Sequence, residues 1–260
     1  MIEVRDLHVA FPNKAGELEQ AVNGISFTVA DGEIVGIVGE SGSGKTQTAL
    51  ALAGLSPRKA KVTGEILLDG RDLMPLTRDE IRKVQGKDVA MVFQEPMSSL
   101  NPTMRIGRQV EEVLAIHTKL TKTERRELAL QALRDVELRE VETVYRKYPH
   151  ELSGGQRQRV MIASAIIGSP KLLIADEPTT ALDVTIQAEI LKLLSKLNRE
   201  KGMSILFISH DLRVIRRLCG RALVMHHGHI MEQGPVEQIF RDPQDAYTKT
   251  LLASIPKRGC

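Results

Sequence analysis

Eight consecutive residues, Gly39-Glu40-Ser41-Gly42-Ser43-Gly44-Lys45-Thr46, set two glycines with four residues between them ahead of Lys and Thr. This is the phosphate-binding loop pattern. Gly39, Gly42 and Gly44 let backbone N–H groups converge on phosphate oxygens with no side chain in the way, and Ser41 and Ser43 are read as binding the nucleotide with them. A helix that begins here adds unpaired donors and a partial positive charge. Lys45 would reach the β- and γ-phosphates of a nucleoside triphosphate, and the Thr46 hydroxyl would ligate Mg²⁺. A flexible Gly/Ser turn is the competing reading, and the flanking elements weigh against it. The apolar run Ile34–Val38 reads as a buried strand, and Gln47 to Leu55 reads as a helix.

A second constellation lies about 130 residues later in the chain. The apolar strand Leu172-Leu173-Ile174-Ala175 runs directly into Asp176-Glu177. Acids at the carboxyl end of a parallel strand sit where α/β sheets bind ligands. Asp176 is placed to hold Mg²⁺ against the phosphates, and Glu177 to polarise an attacking water. Shortly before it, Leu152-Ser153-Gly154-Gly155-Gln156 precedes a helix read from Arg157 to Gly168. A serine and two glycines ahead of a helix make an anion site at its N-terminus, although a structural cap and turn would use the same residues.

The elements that must position these groups read as follows. Strands fall at about residues 2–10 and 21–29, around a loop bearing Asn13 and Gly16, and at Val62–Leu68, closed by Asp69-Gly70. Val89-Ala90-Met91-Val92-Phe93 is a continuous apolar run and so a buried strand. From about Glu95 to Glu151 the chain is charged, with amphipathic helices near Val110–Leu120 and Glu124–Val136, as in a helical insertion into an α/β core. The α/β rhythm then resumes with a helix at Val184–Glu200, whose face carries Ile186, Ile190, Leu193, Leu194 and Leu197. A strand at Ser204–Ser209, a helix at Leu212–Leu218, two short strands over Arg221–Gln233 around His227-Gly228, and short helices near Val236–Phe240 and Ala246–Ala253 follow. Alternating β and α elements imply a largely parallel sheet covered on both faces.

Composition narrows the classes. Hydrophobic residues make up 42% and charged residues 27% of 260, the proportions of a soluble globular protein. No stretch approaches the roughly 18 apolar residues of a membrane span, and the alternating start Met1–Asp6 lacks a signal-peptide layout. Any work at a membrane is therefore expected to go through a partner. A net charge of +3 and an aromatic content of 3% without Trp argue against nucleic acid as a partner. The two cysteines, Cys219 and Cys260, match no metal spacing. His226-His227-Gly228-His229 reads as a solvated strand turn and not a metal centre.

In the order of these motifs the whole chain resembles the nucleotide-binding subunits of ABC transporters. Gly39–Thr46 is similar to Walker A, Leu172–Asp176 to Walker B, and Leu152–Gln156 to the signature motif. Gln94 matches the Q-loop glutamine, Ala181-Leu182-Asp183 the D-loop, and His210 the switch histidine. The resemblance implies an α/β P-loop NTPase of the RecA-like kind, with a mostly parallel sheet, an antiparallel β subdomain and a helical subdomain insertion. Residues 1–95 and 157–235 would form the catalytic core with the β subdomain, 96–156 the helical subdomain, and 236–260 a short C-terminal extension. It implies ATP and Mg²⁺, with Thr46, Asp176 and Gln94 toward the metal and Glu177, His210 and Gln94 catalytic. Gln47 and Gln156 fall beside the nucleotide by the same motifs. Ser153, Gly154, Gly155 and Asp183 would face ATP held by an opposite subunit. Phe11 lies where the family stacks an aromatic on adenine; a strand-end Phe in the core explains it as well.

Finer matches point to the oligopeptide, dipeptide and nickel importer branch. They are Gln94-Glu95-Pro96-Met97-Ser98-Ser99-Leu100-Asn101-Pro102, Tyr148-Pro149-His150-Glu151, Ala181 to Ala188, and the tail from Asp242-Pro243 through Tyr247-Thr248 to Pro256. Gln47 favours the first-named, D-type ATPase subunit of a peptide system, with the nickel D type also open. The branch departs from this chain in one respect. Its peptide-importing members often continue into a cysteine-rich tail, and the lone Cys260 cannot hold a cluster, which moves weight toward metal transport. The resemblance implies a second ATPase subunit, expected to be a distinct homologue, two membrane permease subunits and an extracytoplasmic substrate-binding protein. It also implies a peripheral place at the cytoplasmic face of the inner membrane, docked near Pro96–Gly107. A soluble ABC-type ATPase working as a nucleotide-gated switch is the alternative, and it usually carries a coiled-coil insertion or tandem halves that are not seen in this sequence.

Overall fold

The computed structural model describes residues 1–94, 99–180 and 182–254; the sequence readings at 95–98, 181 and 255–260 lie outside them. In chain order come β1 (Ile2–Pro12), β2 (Leu18–Val29), β3 (Ile34–Val38), α1 (Lys45–Leu52), β4 (Lys61–Leu68), β5 (Arg71–Asp72), α2 (Arg78–Val84) and β6 (Val89–Val92). There follow α3 (Ile106–His117), α4 (Lys122–Asp135), α5 (Val141–Arg146), a 3-10 turn (Pro149–Glu151), α6 (Gly154–Ile166), β7 (Leu172–Asp176) and α7 (Val184–Lys201). The rest comprises β8 (Ser204–Ser209), α8 (Leu212–Leu218), β9 (Arg221–His226), β10 (His229–Pro235), α9 (Val236–Arg241) and α10 (Ala246–Ala253). The contacts separate two compact units, one of Met1–Ile81 with the chain from Ser204 onward, the other of Arg82–Met203.

In the first unit, β2-β1-β4-β5 form an antiparallel sheet. Val4, Val9, Val22, Ile25 and Phe27 are buried, while Arg5, Gly24 and Ser26 face outward. That alternation is what a sheet covered on one face requires. The first hairpin is longer than the sequence suggests. Phe11 pairs with Glu19 and Pro12 with Leu18, because Asn13 closes a tight turn whose Oδ1 accepts from the Ala15 and Glu17 N–H groups. The second set of strands centres on β3, parallel to β8 on one side and β9 on the other, with β10 antiparallel at the edge of β9. Strands β3 and β8 lack alternation because both their faces are covered, and Val35, Ile37, Ile205, Phe207 and Ile208 are fully buried. Cys219 ends α8 in this core, and burial pushes its thiol far above the ordinary range, as befits a packing residue.

In the second unit, β6 and β7 run parallel, with Val89 opposite Leu172 and Val92 opposite Ala175. Helices α3, α4, α5 and α6 pack together beside them. Helix α3 buries Ile106, Val110 and Leu114 at helical spacing, and α7 buries Ile190, Leu193, Leu194 and Leu197, with Ile186 half-buried at its first turn. Thr121 and Glu124 start α4 with a reciprocal capping box.

Several boundaries differ from the sequence reading, among them α3, which runs Ile106–His117 where Val110–Leu120 was expected. Strand β6 stops at Val92, the last residue paired with β7, leaving Phe93 outside it and 40% exposed. Helix α1 starts at Lys45 and stops at Leu52, where the backbone turns through Ala53-Gly54. Helix α6 starts at Gly154 and not near Arg157, so its glycines form the first turn. Helices α2 and α5 go unread because each spans only two turns; the Thr77–Glu80 cap is the signal for α2.

These burials give a contrast that urea denaturation can measure. Phe207→Ala should cost about 3–5 kcal/mol, whereas Phe93→Ala should cost less than about 1 kcal/mol. Equal losses would put Phe93 back in the core strand.

Candidate nucleotide-binding site

Strand β3 delivers the chain into residues 39–44, and α1 leaves from them. Gly44 is the helix N-cap at φ 101° and supplies no capping side chain, so no side chain competes for the first N–H groups of α1. The loop backbone lies hard against its neighbours. A Cβ on Gly39 would stand 2.1 Å from the Met225 carbonyl oxygen, and one on Gly44 would stand 2.5 Å from that of Ala21. No real Cβ tolerates either distance, so both positions must be glycine. The Gly228 N–H donates to the Ser43 carbonyl at 3.1 Å, and the Asn23 N–H to the Gly228 carbonyl at 2.9 Å. The β9–β10 turn thus links the loop to β2.

Lys45 is buried and arcs back over the loop. Its Nζ donates to the carbonyls of Gly39 (2.8 Å) and Glu40 (2.7 Å), with Ser43 Oγ at 3.4 Å. Ser41, Gly42 and Thr46 are exposed, and Gln47 is half-buried. His210 is exposed immediately after β8. The next residue, Asp211, caps α8 through the Arg213 N–H at 2.8 Å. Burial pushes the Asp211 carboxyl up, but the hydrogen bonds and charge of Arg213, with His210 adding, bring it below its ordinary value. Phe11 is half-buried near the end of β1. Of the histidine run, His226 stacks on the Tyr247 ring and His227 is exposed. Among the described residues, no cluster of three His, Cys, Asp or Glu has metal-binding geometry.

In the second unit, all of β7 is buried and Asp176 is its last residue, 3% exposed. Glu177 follows at φ 45°, a strained conformation for a side-chain-bearing residue. Its Oε2 accepts from Gln94 Nε2 at 3.1 Å and from Thr180 Oγ1 at 2.8 Å. The β6–β7 register explains this meeting. Val92 lies opposite Ala175, so two residues further on, just past the strand ends, come Gln94 and Glu177. The Gln94 reading placed this residue after a strand but gave no reason to expect its amide on Glu177. Thr180 was missed altogether, and the sequence offers no signal for it beyond nearness to Glu177.

Ser153 caps α6 by accepting from the Gln156 N–H at 3.3 Å, while Gln156 Oε1 accepts from the Ser153 N–H at 3.0 Å. The cap reading of this motif therefore holds for its side chains, and it leaves Ser153 and Gly154 exposed at the N-terminus of a 13-residue helix. Asp183 caps α7 through the Thr185 and Ile186 N–H groups at 3.1 and 2.9 Å. The two helix starts approach at Gly155, where a Cβ would meet Ile186 Cγ2 at 3.1 Å.

Known proteins place this geometry. The family model described as ABC transporter matches residues 22–180. A peptidoglycan transport ATP-binding protein of Agrobacterium fabrum, YejF, is 52% identical over 99% of this chain, which spans only 47% of that protein's length. The oligopeptide transport ATP-binding proteins OppD of Bacillus subtilis and Escherichia coli are 48% and 46% identical, over 98% and 99% of this chain and 72% and 76% of theirs. Among solved structures, a dimer of the ATP-binding cassette MJ0796 in a post-hydrolysis state bound to ADP and Pi superposes with a TM-score of 0.81. It is 31% identical, over 91% of this chain and 99% of its own. The chain belongs to the ABC transporter family, as one of its ATP-binding cassettes.

Proposed function

We propose that this chain is the ATP-hydrolysing subunit of an importer for di- or oligopeptides, peripheral to the cytoplasmic face of the membrane. The observation that carries hydrolysis is the Glu177 carboxylate, placed at a buried strand end and held by Gln94 and Thr180. The observation that carries the substrate class is the naming of the OppD relatives for oligopeptide transport, which favours peptides over nickel. No helix among the described residues is long and apolar enough to cross a membrane. In this reading the chain acts through two membrane permease subunits, a second ATPase subunit that is a distinct homologue, and an extracytoplasmic binding protein.

The loop N–H groups and the α1 N-terminus bind the phosphates of ATP, and Lys45 turns from the Gly39 and Glu40 carbonyls toward the β- and γ-phosphates. Phe11 stacks on adenine, and Gly39, Ser41, Gly42, Ser43, Gly44 and Gln47 line the phosphates. Thr46, Asp176 and Gln94 offer hydroxyl, carboxylate and amide oxygens, the hard donors that Mg²⁺ prefers. Held by these residues, Mg²⁺ would supply neutralisation of charge on the transferring phosphoryl group. Glu177 polarises the attacking water, and His210 fixes the γ-phosphate. Because Gln94 donates to Glu177 here, a Gln94 drawn toward nucleotide frees that carboxylate and signals occupancy to the helices. The α6 start, Ser153 to Gln156, with Asp183 beside it, closes over ATP on the partner ATPase, and hydrolysis lets the pair reopen. A groove of about 720 Å³ bordered by Met104, Arg105, Arg108 and Tyr145 overlaps the end of the segment assigned to membrane-subunit docking.

Three outcomes test this reading. Lys45→Ala should weaken ATP binding about tenfold to hundredfold, the loss of a charged hydrogen bond; calorimetry finding unchanged affinity would contradict the loop assignment. Glu177→Gln should keep ATP binding, trap a closed dimer and lower turnover by about 10²–10⁴-fold. Wild-type turnover in the assembled transporter would remove Glu177 from the chemistry. Cysteines introduced at Met104 or Arg108 should cross-link to the membrane subunits, and their consistent silence would move the docking surface elsewhere.

A further inference from the structure

Besides the backbone contacts of Met225 and Gly228, the phosphate loop is met by a side chain from far along the chain. The Glu40 N–H donates to Tyr247 Oη on α10 at 3.3 Å. The same peptide unit presents the Gly39 carbonyl, which accepts Lys45 Nζ at 2.8 Å. A single peptide plane is thus held at its N–H by α10 and at its C=O by the loop lysine.

Tyr247 is itself fixed from three sides. Its ring stacks on His226, with centroids 3.9 Å apart and planes 17° from parallel. His226 ends β9 and directly follows Met225, whose carbonyl oxygen abuts Gly39. Asp245 caps α10 by accepting from the Tyr247 and Thr248 N–H groups at 2.8 and 3.2 Å. Glu232 on β10 holds the approach to that helix, accepting from the Gln244 and Asp245 N–H groups at 2.9 and 3.2 Å. Thr248 is fully buried, which seats the helix. The strand whose carbonyl presses on the loop and the helix whose phenol holds it are therefore joined by direct contacts.

We propose that Tyr247 is a positioning residue for nucleotide binding: by fixing the Gly39–Glu40 peptide it holds the loop, and through it Lys45, in the arrangement that receives phosphates. This rests on the loop being the ATP site. Glycine-rich backbone loses much conformational freedom on ordering. A tether that orders it before the ligand arrives spares binding that cost. The hydroxyl touches no phosphate, so its effect passes through the loop backbone.

The test compares the full chain, Tyr247→Phe and Lys45→Ala, titrating each with the Mg²⁺ complex of the non-hydrolysable ATP analogue adenylyl imidodiphosphate. Tyr247→Phe deletes one oxygen and keeps the stacked ring. It should weaken binding about three- to tenfold, the range of one lost hydrogen bond, with an unchanged unfolding temperature. Amide exchange at Glu40 should quicken, and in the assembled transporter KM for ATP should rise with kcat unchanged. Unchanged or tighter binding in Tyr247→Phe, while Lys45→Ala loses affinity, would overturn the role of Tyr247 and leave the loop intact. Unchanged affinity in Lys45→Ala would overturn the loop reading, and this proposal with it.

Discussion

The closeness of the phosphate loop to two backbone carbonyls is the constraint on which the first unit depends. With Met225 O and Ala21 O standing where side chains at Gly39 and Gly44 would go, the loop has one way to sit. Everything that delivers those carbonyls must be in register. The β1–β2 hairpin brings Ala21, the parallel pairing of β3 with β9 brings Met225, and the β9–β10 turn ties both to Ser43. The antiparallel strands are therefore more than a cover for the core. They build one wall of the loop, and a shift of one residue in β9 would drive a carbonyl through it.

The second unit obeys a constraint of a different kind. Its chemistry depends on the parallel register of β6 on β7, which sets Gln94 and Glu177 side by side across 83 positions of sequence. The carboxylate's left-handed backbone at φ 45° is held by the turn in which the Thr180 N–H donates to the Glu177 carbonyl. Strain of this sort persists only where surrounding contacts fix it. Here the amide of Gln94 and the hydroxyl of Thr180 fix the side chain as well.

Local patterns carried much of this into view from sequence. The loop was legible because a strand, a glycine turn and a helix start are contiguous. Strand Ser204–Ser209 and helix Leu212–Leu218 were legible from an apolar run and a 3.6-residue period, and both match the structure at each end. Phe93 was misplaced because an apolar run says nothing about where strand pairing stops. The start of α6 was misplaced because its glycines look like a turn, although the Ser153 and Gln156 spacing already spelled a capping box. Two meetings were out of reach, Gln94 with Glu177 and Tyr247 with Glu40. Each joins residues that only strand register and helix docking bring together, and those depend on packing across the fold.

ATP turnover by the complex co-purified with its membrane subunits and binding protein, measured with and without a peptide mixture, tests the central claim most directly. Peptide should stimulate turnover, and Ni²⁺ offered in its place should not. Robust turnover without co-purifying membrane subunits, indifferent to peptide, would contradict the account and mark the chain as a soluble nucleotide-driven switch.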